Sequence, residues 1–419
     1  IEANTIALKA GYNYGDTIEA IRTTYRVSQA KLNKGTYRNI MGNECLTLGL
    51  IAAANKAKLD LFFGGYPITP ASDILHILSK YKNYGIKTFQ AEDEIAGICS
   101  VLGAAFAGDL AVTASSGPGI ALKGEAMGLG IITELPLVII NIQRGGPSTG
   151  MPTRTQQSDI LTCAYASHGD TKHILLLPSD PNECFEFGYK AFDFAEKFQT
   201  PIMVLSDLDI GMNDWVVDQF KWDDNYSHDR GKLVTSEDIE KLKSFARYRD
   251  VDGDGIPYRT IPATHPDYGS YFTRGTSHTD TGGYTENGVI HAEMLDRITK
   301  KFHTAKEYLP HPIINLNSPK SKIGIINFGS TNVALNDAMQ DLTRNGIGIN
   351  HLRIRAFPFS KSVVDFINDH EFVFVLEQNR DAQMKKLLIS EEDLDTNKLI
   401  SILNYDGMPL TASFIVNNI

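Results

Sequence analysis

Cysteine is scarce in this sequence, and its copies stand far apart. The four are Cys45, Cys99, Cys163 and Cys184. No two of them form a Cys-x-x-Cys pair, which argues against a zinc or iron–sulfur site made by this chain alone. Because neither a disulfide pattern nor a secretory signal is present, the sequence predicts a cytoplasmic protein. Cys99 lies in an apolar run, where we expect it to pack as a small buried side chain.

Several other features are missing as well. Lys and Arg together number 40 against 50 Asp and Glu, so the net charge is −10, and a general nucleic-acid or anionic-membrane partner is not expected. The longest apolar runs are broken by Gly, Lys or Glu before they reach the length of a membrane span. The sequence has no Walker loop, no His-Glu-x-x-His and no Gly-x-Gly-x-x-Gly after a strand. Hydrolase, kinase and nicotinamide-dependent functions therefore lose their usual support, and we expect no metal ligands in this chain.

What the sequence does contain is a regular alternation of short apolar runs and helical patterns. It extends over residues 43–206 and resumes after residue 322. This alternation predicts an α/β fold with mostly parallel sheets covered by helices. The intervening residues 213–311 are polar and show no sustained apolar period, so we expect a loop-rich insertion that wraps the site or an interface.

These patterns suggest a division of the chain into four parts. Residues 1–41 are polar, with a short helix predicted over residues 18–25, and we interpret them as a connector from something upstream because the sequence begins with Ile. Residues 42–212 form a first α/β domain, residues 213–318 the loop-rich insertion, and residues 319–419 a second, smaller α/β domain.

An acidic triplet stands at the start of the most unusual apolar run. Glu92, Asp93 and Glu94 precede residues 95–107, which are apolar on almost every side of a helix, a pattern typical of a buried helix. Carboxylates in a first helical turn often do no more than favour the helix dipole. Alternatively the innermost one, Glu94, is partly desolvated and exchanges a proton with a cofactor nitrogen.

Two glycine-rich loops follow apolar strands. Residues 64–70 predict a turn in which Thr69 caps a helix that begins at Pro70, and the free amides of that helix end would form an anion site. Arg144 directly follows a strand and precedes Gly-Gly-Pro-Ser-Thr-Gly, which is either a plain surface loop or a carboxylate site. The second interpretation is favoured because a guanidinium matches a carboxylate in bidentate geometry, and ligands bind at the carboxyl edge of open α/β sheets.

A possible cation loop lies inside the insertion. Residues 250–255 have the sequence Asp-Val-Asp-Gly-Asp-Gly, which resembles the start of a calcium-binding loop. The twelfth position would be Ile261, where such loops carry a glutamate. Cation binding at this loop is therefore an open alternative.

Four motifs, taken together, point to a known family. They are GYPITPASDI, FQAEDEIAGI, SSGPGIALKGEA and QRGGPSTGMPTRT, in that order. The chain from residue 42 to its end, including DVDGDGIPYRT and NYDGMPLTA, resembles the α subunit of 2-oxoacid:ferredoxin oxidoreductases, most closely the 2-oxoglutarate type in which a γ-like domain precedes α. The resemblance implies a thiamine-diphosphate-binding, pyrimidine-type parallel-sheet domain followed by a transketolase C-terminal-like α/β domain. Residues 1–41 would then be the tail of the γ-like domain.

The resemblance also implies roles for individual residues. Glu94 matches the family glutamate that contacts the aminopyrimidine ring of the cofactor and promotes its imino tautomer. The cofactor-binding residues that the resemblance implies are Glu94, Pro67 and Ile68. The substrate-binding residues that it implies are Thr69 and Arg144, which receive the 2-oxoacid carboxylate, and Thr153, which with residues 147–151 selects the side chain.

A second subunit completes the implied enzyme. The resemblance implies that a β subunit carries the diphosphate and magnesium motif and a [4Fe–4S] cluster. In this chain Gly253-Asp254-Gly255 is similar to that motif, but it follows a hydrophilic segment and not a buried strand. The resemblance implies an (αβ)2 assembly that oxidises 2-oxoglutarate with coenzyme A and ferredoxin. The alternatives are pyruvate or a branched-chain 2-oxoacid as substrate, a non-catalytic scaffold, and a stand-alone thiamine enzyme of transketolase type.

Overall fold

The structure is a computed structural model that describes residues 1–18, 26, 28–29, 32–242 and 244–419. The chain divides into two compact units, Ile1–Tyr37 and Arg38–Ile419. The first contains α1 (Glu2–Thr17), a helix without buried residues. The short helix predicted over residues 18–25 falls almost entirely outside the described residues.

The first α/β region confirms the predicted alternation of strands and helices. Each central strand is followed by a helix that packs back on the sheet, as parallel pairing requires. In chain order the elements are β1 (Tyr37–Ile40), α2 (Gly42–Ala57), β2 (Leu61–Gly65), α3 (Ser72–Leu78), β3 (Ile86–Gln90), α4 (Glu94–Ala107), β4 (Leu110–Ser115), α5 (Gly117–Leu122), α6 (Gly124–Ile132), β5 (Leu137–Gln143), α7 (Ile160–Ala164), β6 (Ile174–Leu176), α8 (Pro181–Phe198), β7 (Pro201–Asp207) and α9 (Leu208–Met212).

The next region carries more regular structure than the sequence predicts. Its elements are β8 (Trp215–Asp218), α10 (Ser236–Leu242), α11 (Gly288–Ala305) and β9 (Ile313–Asn315). Helix α11 begins after Asn287, whose side chain accepts a hydrogen bond from Val289 N at 2.9 Å. It buries Met294, Ile298 and Phe302, which are spaced four residues apart on one face. The expectation that residues 213–311 have no sustained apolar period is therefore wrong for this helix.

The last region is a second α/β layer. Its elements are β10 (Ile323–Asn327), α12 (Thr331–Arg344), β11 (Asn350–Arg353), β12 (Ala356–Phe357), α13 (Lys361–Asn368), β13 (Phe372–Glu377), α14 (Gln383–Glu391), β14 (Leu399–Leu403) and α15 (Ala412–Val416). The apolar runs of the sequence predict strands at residues 323–328, 348–353 and 372–377. These strands coincide with β10, β11 and β13 within two residues at either end.

Two sheets organise the larger unit. The seven-stranded sheet has the order β12-β6-β7-β5-β4-β2-β3 and is parallel except for β12. The five-stranded sheet has the order β14-β13-β10-β11-β9 and is parallel except for β9. Strands β1 and β8 form a separate pair. Mostly parallel sheets with helical crossovers confirm the predicted fold class.

The centre of the seven-stranded sheet is fully buried. Every residue of β4, β5 and β7 is buried, so these strands form a rigid base for the loops at their carboxyl ends. The second sheet is joined to this base at Asp207, whose carboxylate accepts hydrogen bonds from Ser330 at 2.6 Å and Gln157 at 3.2 Å. Among the described helices, none combines the length and the apolar character needed to cross a membrane.

Candidate active site

The carboxyl ends of three parallel strands meet at one edge of the seven-stranded sheet. Strand β2 pairs with β4 on one side and with β3 on the other, and β4 pairs with β5. In this register Ser115, the last residue of β4, lies opposite Asn141 near the end of β5. Because the polar loops that follow these strands emerge together, this edge is the place where an α/β sheet binds a ligand.

Glu94 projects from the start of α4 at this edge. Asp93 caps the helix by accepting a hydrogen bond from Ala96 N at 2.7 Å, which makes Glu94 the first helical residue. The Glu94 side chain is 8% exposed, and no described residue donates a hydrogen bond to its carboxylate. A Cβ atom on Gly119 would lie 2.9 Å from Glu94 Cγ and 2.0 Å from Ser115 Oγ, so the absent side chain of Gly119 leaves the room that both groups occupy.

The sequence predicted that helix α4 is buried on every side, but in the structure one of its faces is exposed. Its buried face includes Ile98 and Val101, but Ile95, Cys99 and Gly103 are exposed and follow one another at intervals of four residues. The prediction that Cys99 is buried is wrong for this chain by itself. An apolar stripe on a helix surface is typical of a face that another protein covers, which explains why the sequence pattern resembled a core helix.

Arg144 joins the two glycine-rich loops. Its Nη1 donates to the carbonyl of Thr69 at 2.5 Å and its Nη2 to the carbonyl of Thr149 at 3.2 Å, while the guanidinium is 6% exposed. Burial lowers the pKa of Arg144, and the nearby Asp159 carboxylate opposes that shift. The structure thus brings two predicted substrate residues, Thr69 and Arg144, into direct contact.

The loop at Thr69 differs in detail from the prediction. The helix begins at Ser72 and not at Pro70, and Thr69 does not cap it. The Thr69–Pro70 peptide bond is cis, and the carbonyl of Ile68 accepts hydrogen bonds from Ala71 N at 2.8 Å and Ser72 N at 3.1 Å. The predicted anion site at this helix end is therefore wrong, because α3 is one short segment that starts two residues later. Pro67 and Ile68 are half-buried beside the exposed Tyr66.

Residues 145–154 form a tight loop beside Arg144. Gly145 N donates to Arg154 O at 2.9 Å, and Met151 N donates to Gly145 O at 2.8 Å. Gly150 has φ +48°, and a Cβ atom there would lie 2.0 Å from the Gly145 carbonyl, so only glycine fits. Thr153 is exposed, and its side chain makes no hydrogen bond to Arg144 or to any other described residue.

Comparison with known proteins identifies the family of this chain. Residues 52–246 match the family described as pyruvate flavodoxin/ferredoxin oxidoreductase, thiamine diphosphate-binding. The chain is 31% identical over 326 residues, 76% of its length and 82% of the relative's, to the 2-oxoglutarate synthase subunit KorA of Methanocaldococcus jannaschii. The chain belongs to the family of 2-oxoacid:ferredoxin oxidoreductase α subunits.

Two further similarities lie within this family of α subunits. The 2-oxoglutarate oxidoreductase subunit KorA of Mycobacterium tuberculosis is 55% identical over 206 residues, which are 49% of this chain and 32% of that protein. The 2-oxoacid:ferredoxin oxidoreductase subunit alpha of Saccharolobus solfataricus is 30% identical over 97% of this chain and 64% of its own length. The aligned parts thus span about a third and about two thirds of these relatives.

The solved structures confirm the α-subunit fold. The structure of 2-oxoglutarate:ferredoxin oxidoreductase from Magnetococcus marinus, with 2-oxoglutarate, coenzyme A and succinyl-CoA bound, matches 100% of this chain and 71% of that one, with a TM-score of 0.87 and 28% identity. An inactive β4 tetramer of a split-gene transketolase matches at a TM-score of 0.51 with 10% identity, which is a likeness of fold alone. The predicted pairing of a thiamine-diphosphate-binding domain with a transketolase-like α/β domain is confirmed.

The residues of this α subunit fit a thiamine diphosphate pyrimidine. Besides the Glu94 carboxylate, the buried hydroxyls of Ser115 and Ser116 and the Nε of Arg144 have no hydrogen-bond partner among the described residues. A buried polar group without a partner costs about 1–3 kcal/mol, so such groups gather where a ligand satisfies them. Pro67 and Ile68 would border the pyrimidine ring, and Glu94 would contact it.

Two charged residues of this α-subunit site were not predicted from the sequence. Lys123, between α5 and α6, is fully buried and donates to the backbone carbonyl of Glu94 at 3.2 Å. Asp159 accepts a hydrogen bond from Asn141 at 3.0 Å, and burial raises the pKa of its carboxyl group. A single lysine inside the small-residue run Gly-Ile-Ala-Leu-Lys-Gly-Glu-Ala was the signal that could have revealed the first.

The carboxylates of the possible calcium loop are bound by groups of the protein itself. The Asp250 carboxylate accepts hydrogen bonds from the backbone of the loop, at 2.8 Å from Gly253 N and 2.9 Å from Gly255 N. The ammonium of Lys232 contacts Asp252 at 2.7 Å and Asp254 at 2.8 Å. No group of three metal-ligating side chains occurs in the described part of the chain. A lysine side chain of the protein thus binds two of the three carboxylates of the loop.

Proposed function

We propose that this chain is the α subunit of a thiamine-diphosphate-dependent 2-oxoglutarate:ferredoxin oxidoreductase. The enzyme would convert 2-oxoglutarate and coenzyme A to succinyl-CoA and CO2, with the two electrons released passing to ferredoxin. The observation that carries this proposal is the convergence of the buried Glu94 carboxylate and the buried Arg144 guanidinium on one sheet edge. The names of the relatives support 2-oxoglutarate over pyruvate or a branched-chain 2-oxoacid.

In this proposal each residue of the site has a separate task. Thiamine diphosphate, when bound with Mg²⁺, supplies the nucleophilic carbon and the electron sink for decarboxylation. Glu94 exchanges a proton with the pyrimidine ring, and its burial at the start of α4 supports this role. Arg144 receives the carboxylate of the substrate next to Thr69, and the unpartnered Nε supports this role. Thr153 contacts the substrate side chain.

We further propose that a β subunit covers the exposed stripe of α4. Ile95 is 46% exposed and begins the stripe one residue after Glu94, and Phe89, 45% exposed, lies on the strand before it. Apolar side chains around a catalytic group are costly to leave in water and are typical of an interface. The β subunit would contribute the diphosphate and magnesium motif and the [4Fe–4S] cluster, in an (αβ)2 assembly. The domain division at residues 42–212, 213–318 and 319–419 and the cytoplasmic location stay predictions.

The test is turnover by the complex of this chain with its β partner, purified without oxygen. We expect coenzyme A-dependent reduction of a viologen dye with 2-oxoglutarate, and much slower reduction with pyruvate and 2-oxoisovalerate. Glu94→Gln should lower turnover by about 100-fold or more, because general acid–base catalysis contributes about 10²–10⁴. The matched control is Glu92→Gln, an exposed carboxylate two residues away that should retain turnover.

Each alternative function corresponds to a distinct outcome. Preference for another 2-oxoacid would keep the reaction and overturn the substrate assignment. Near-normal turnover by Glu94→Gln would overturn the role of Glu94. If the complex binds thiamine diphosphate, holds an intact cluster and yet reduces no dye with any 2-oxoacid, the chain is a non-catalytic scaffold.

A further inference from the structure

Lys123 is the most unusual charged residue near the candidate site. It is fully buried, although a lysine side chain is almost never fully buried unless it is paired. The only hydrogen bond that its side chain makes to another described residue runs from Nζ to the backbone carbonyl of Glu94, at 3.2 Å. A buried ammonium that contacts the residue bearing the candidate catalytic carboxylate calls for a functional explanation.

The local backbone directs Lys123 toward Glu94. Lys123 ends α5 and precedes α6, and its N–H donates to Gly119 O at 3.1 Å, one turn earlier. Residues four apart lie on the same face of a helix, so Gly119 and Lys123 both face the start of α4. Gly119 leaves room for the Glu94 side chain, and Lys123 reaches the Glu94 backbone. The two residues therefore support Glu94 from one side.

The charges around Lys123 match this arrangement. Burial lowers its pKa to about 8, and the carboxylates of Glu94 and Asp93 oppose that shift. These two carboxylates, both at the start of α4, are the charged groups that act on the ammonium, whereas Glu125 on α6 is exposed. At neutral pH the ammonium is thus mostly protonated, and its nearest opposite charges include the carboxylate that the proposed chemistry uses.

We propose that Lys123 is a positioning residue for Glu94. Its ammonium holds the first turn of α4 through the Glu94 carbonyl and supplies the positive charge that allows the Glu94 carboxylate to be buried against the pyrimidine of thiamine diphosphate. This inference rests on the proposed function, because it assumes that the pyrimidine binds at Glu94. Lys123 itself touches neither cofactor nor substrate.

A purely structural role would look different in experiments. If Lys123 only packed α5 against α4, any folded variant with a side chain of similar length would keep the imino tautomer of the bound cofactor. If its charge matters, a neutral variant would bind thiamine diphosphate and lose the imino tautomer that Glu94 promotes. Near-ultraviolet circular dichroism distinguishes the aminopyrimidine and imino tautomers of the bound cofactor, and this readout does not depend on turnover.

The variants separate length, hydrogen bonding and charge. Lys123→Met keeps the length and removes the charge, Lys123→Gln keeps a hydrogen-bond donor without the charge, and Lys123→Arg keeps the charge. Lys80→Met, an exposed lysine at the end of α3, is the matched control. All are measured in the anaerobic complex with the β partner, thiamine diphosphate and Mg²⁺.

We expect both neutral variants to bind thiamine diphosphate within about threefold of the wild type and to lose most of the imino signal. Their kcat should fall by about 10- to 100-fold, the effect of one to two pKa units of charge interaction, while KM for the 2-oxoacid changes little. Lys123→Arg should restore both the signal and most of the turnover, and the control should resemble the wild type.

Three outcomes would overturn the inference. The first is a wild-type imino signal and kcat in Lys123→Gln or Lys123→Met. The second is an equal loss in Lys123→Arg, which would make shape and not charge the cause. The third is failure of both neutral variants to assemble with the β partner, which would indicate a structural role. A wild-type complex that binds the cofactor without turnover would instead contradict the proposed function, and the tautomer signal would still test Lys123.

Discussion

Replacing Glu134 with Gln should loosen the attachment of α11 to the seven-stranded layer. Glu134 follows α6 and is fully buried. Its carboxylate accepts hydrogen bonds from Arg297, at 2.5 Å from Nη2 and 3.1 Å from Nη1, and from Lys301 Nζ at 2.8 Å. Arg247 donates to its backbone carbonyl at 2.9 Å. The carboxylate of Glu134 thus binds two cations of α11, and its backbone carbonyl binds a third from the preceding segment.

The size of the expected loss in stability follows from the burial of these charges. Burial opposes the ionisation of Glu134, yet Lys301 and Arg297 hold the pKa of Glu134 well below its ordinary range. An amide in its place keeps the volume but leaves Lys301, also fully buried, without a counter-charge. Breaking a buried ion pair from one side costs about 3–5 kcal/mol, so we expect a loss of about 4 kcal/mol in the free energy of unfolding.

The loss should depend on pH in a defined direction. Burial lowers the pKa of Lys301 to about 8 against the raising effect of Glu134, so without Glu134 this pKa falls further. In the variant, Lys301 then releases its proton at lower pH than in the wild type, which relieves the uncompensated charge. The stability deficit of Glu134→Gln should therefore shrink as the pH rises from about 6 to about 8.

Urea titration at pH 6, 7 and 8 measures the deficit, and hydrogen exchange of residues 288–305 localises it to α11. Glu125→Gln, on the exposed face of the same helix α6, is the control and should change the free energy of unfolding by less than about 0.5 kcal/mol. A loss below about 1 kcal/mol, or a deficit that does not respond to pH, would refute the view that this cluster fastens the insertion.

Two further predictions concern the partner surface and acid stability. In the intact complex with the β partner, Cys99 should resist a thiol reagent, and it should react once the subunits are separated. The other three cysteines are buried within the chain itself and should not respond to separation. Rapid labelling of Cys99 in the intact complex, measured by peptide mass spectrometry, would place the partner elsewhere. Burial lowers the pKa of His173 to about 4, so the folded wild type should lose about 3 kcal/mol of stability on this account between pH 6.5 and pH 4. His173→Gln has no such group, so its free energy of unfolding, measured by urea titration, should fall by about 3 kcal/mol less over this pH range. The exposed His168→Gln is its control, and equal acid slopes for both variants would contradict this assignment.

Local sequence patterns located most of the strands and the polar edge. Glu94 follows a strand and precedes a helix, and Arg144 directly follows β5, so simple alternation was enough to place both at the carboxyl edge. Sequence patterns gave a wrong prediction for α4, because an apolar helix has two possible physical causes. An apolar helix surface indicates burial, but in α4 the exposed stripe from Ile95 to Gly103 faces away from this chain's core.

Two further predictions about helices were wrong, because local sequence patterns do not include the contacts that a segment makes with the rest of the chain. The Thr-Pro sequence predicted a capped helix at Pro70, yet the contact of Thr69 O with Arg144 belongs to a loop that delays the helix to Ser72. Helix α11 was missed because polar residues dominate its exposed faces, and only its four-residue spacing of Met294, Ile298 and Phe302 marks the buried face.

The sequence by itself determined the alternation of strands and helices, the order of the four motifs and the chemical identity of the side chains at the sheet edge. These follow from periodicity and turn chemistry, which act over a few residues. Only the tertiary structure decided that Lys123 lies against Glu94, 29 positions earlier in the chain, and that Lys232 pairs with Asp252 and Asp254. Such pairings depend on which distant segments pack together, and the cost of burying an uncompensated charge selects among them.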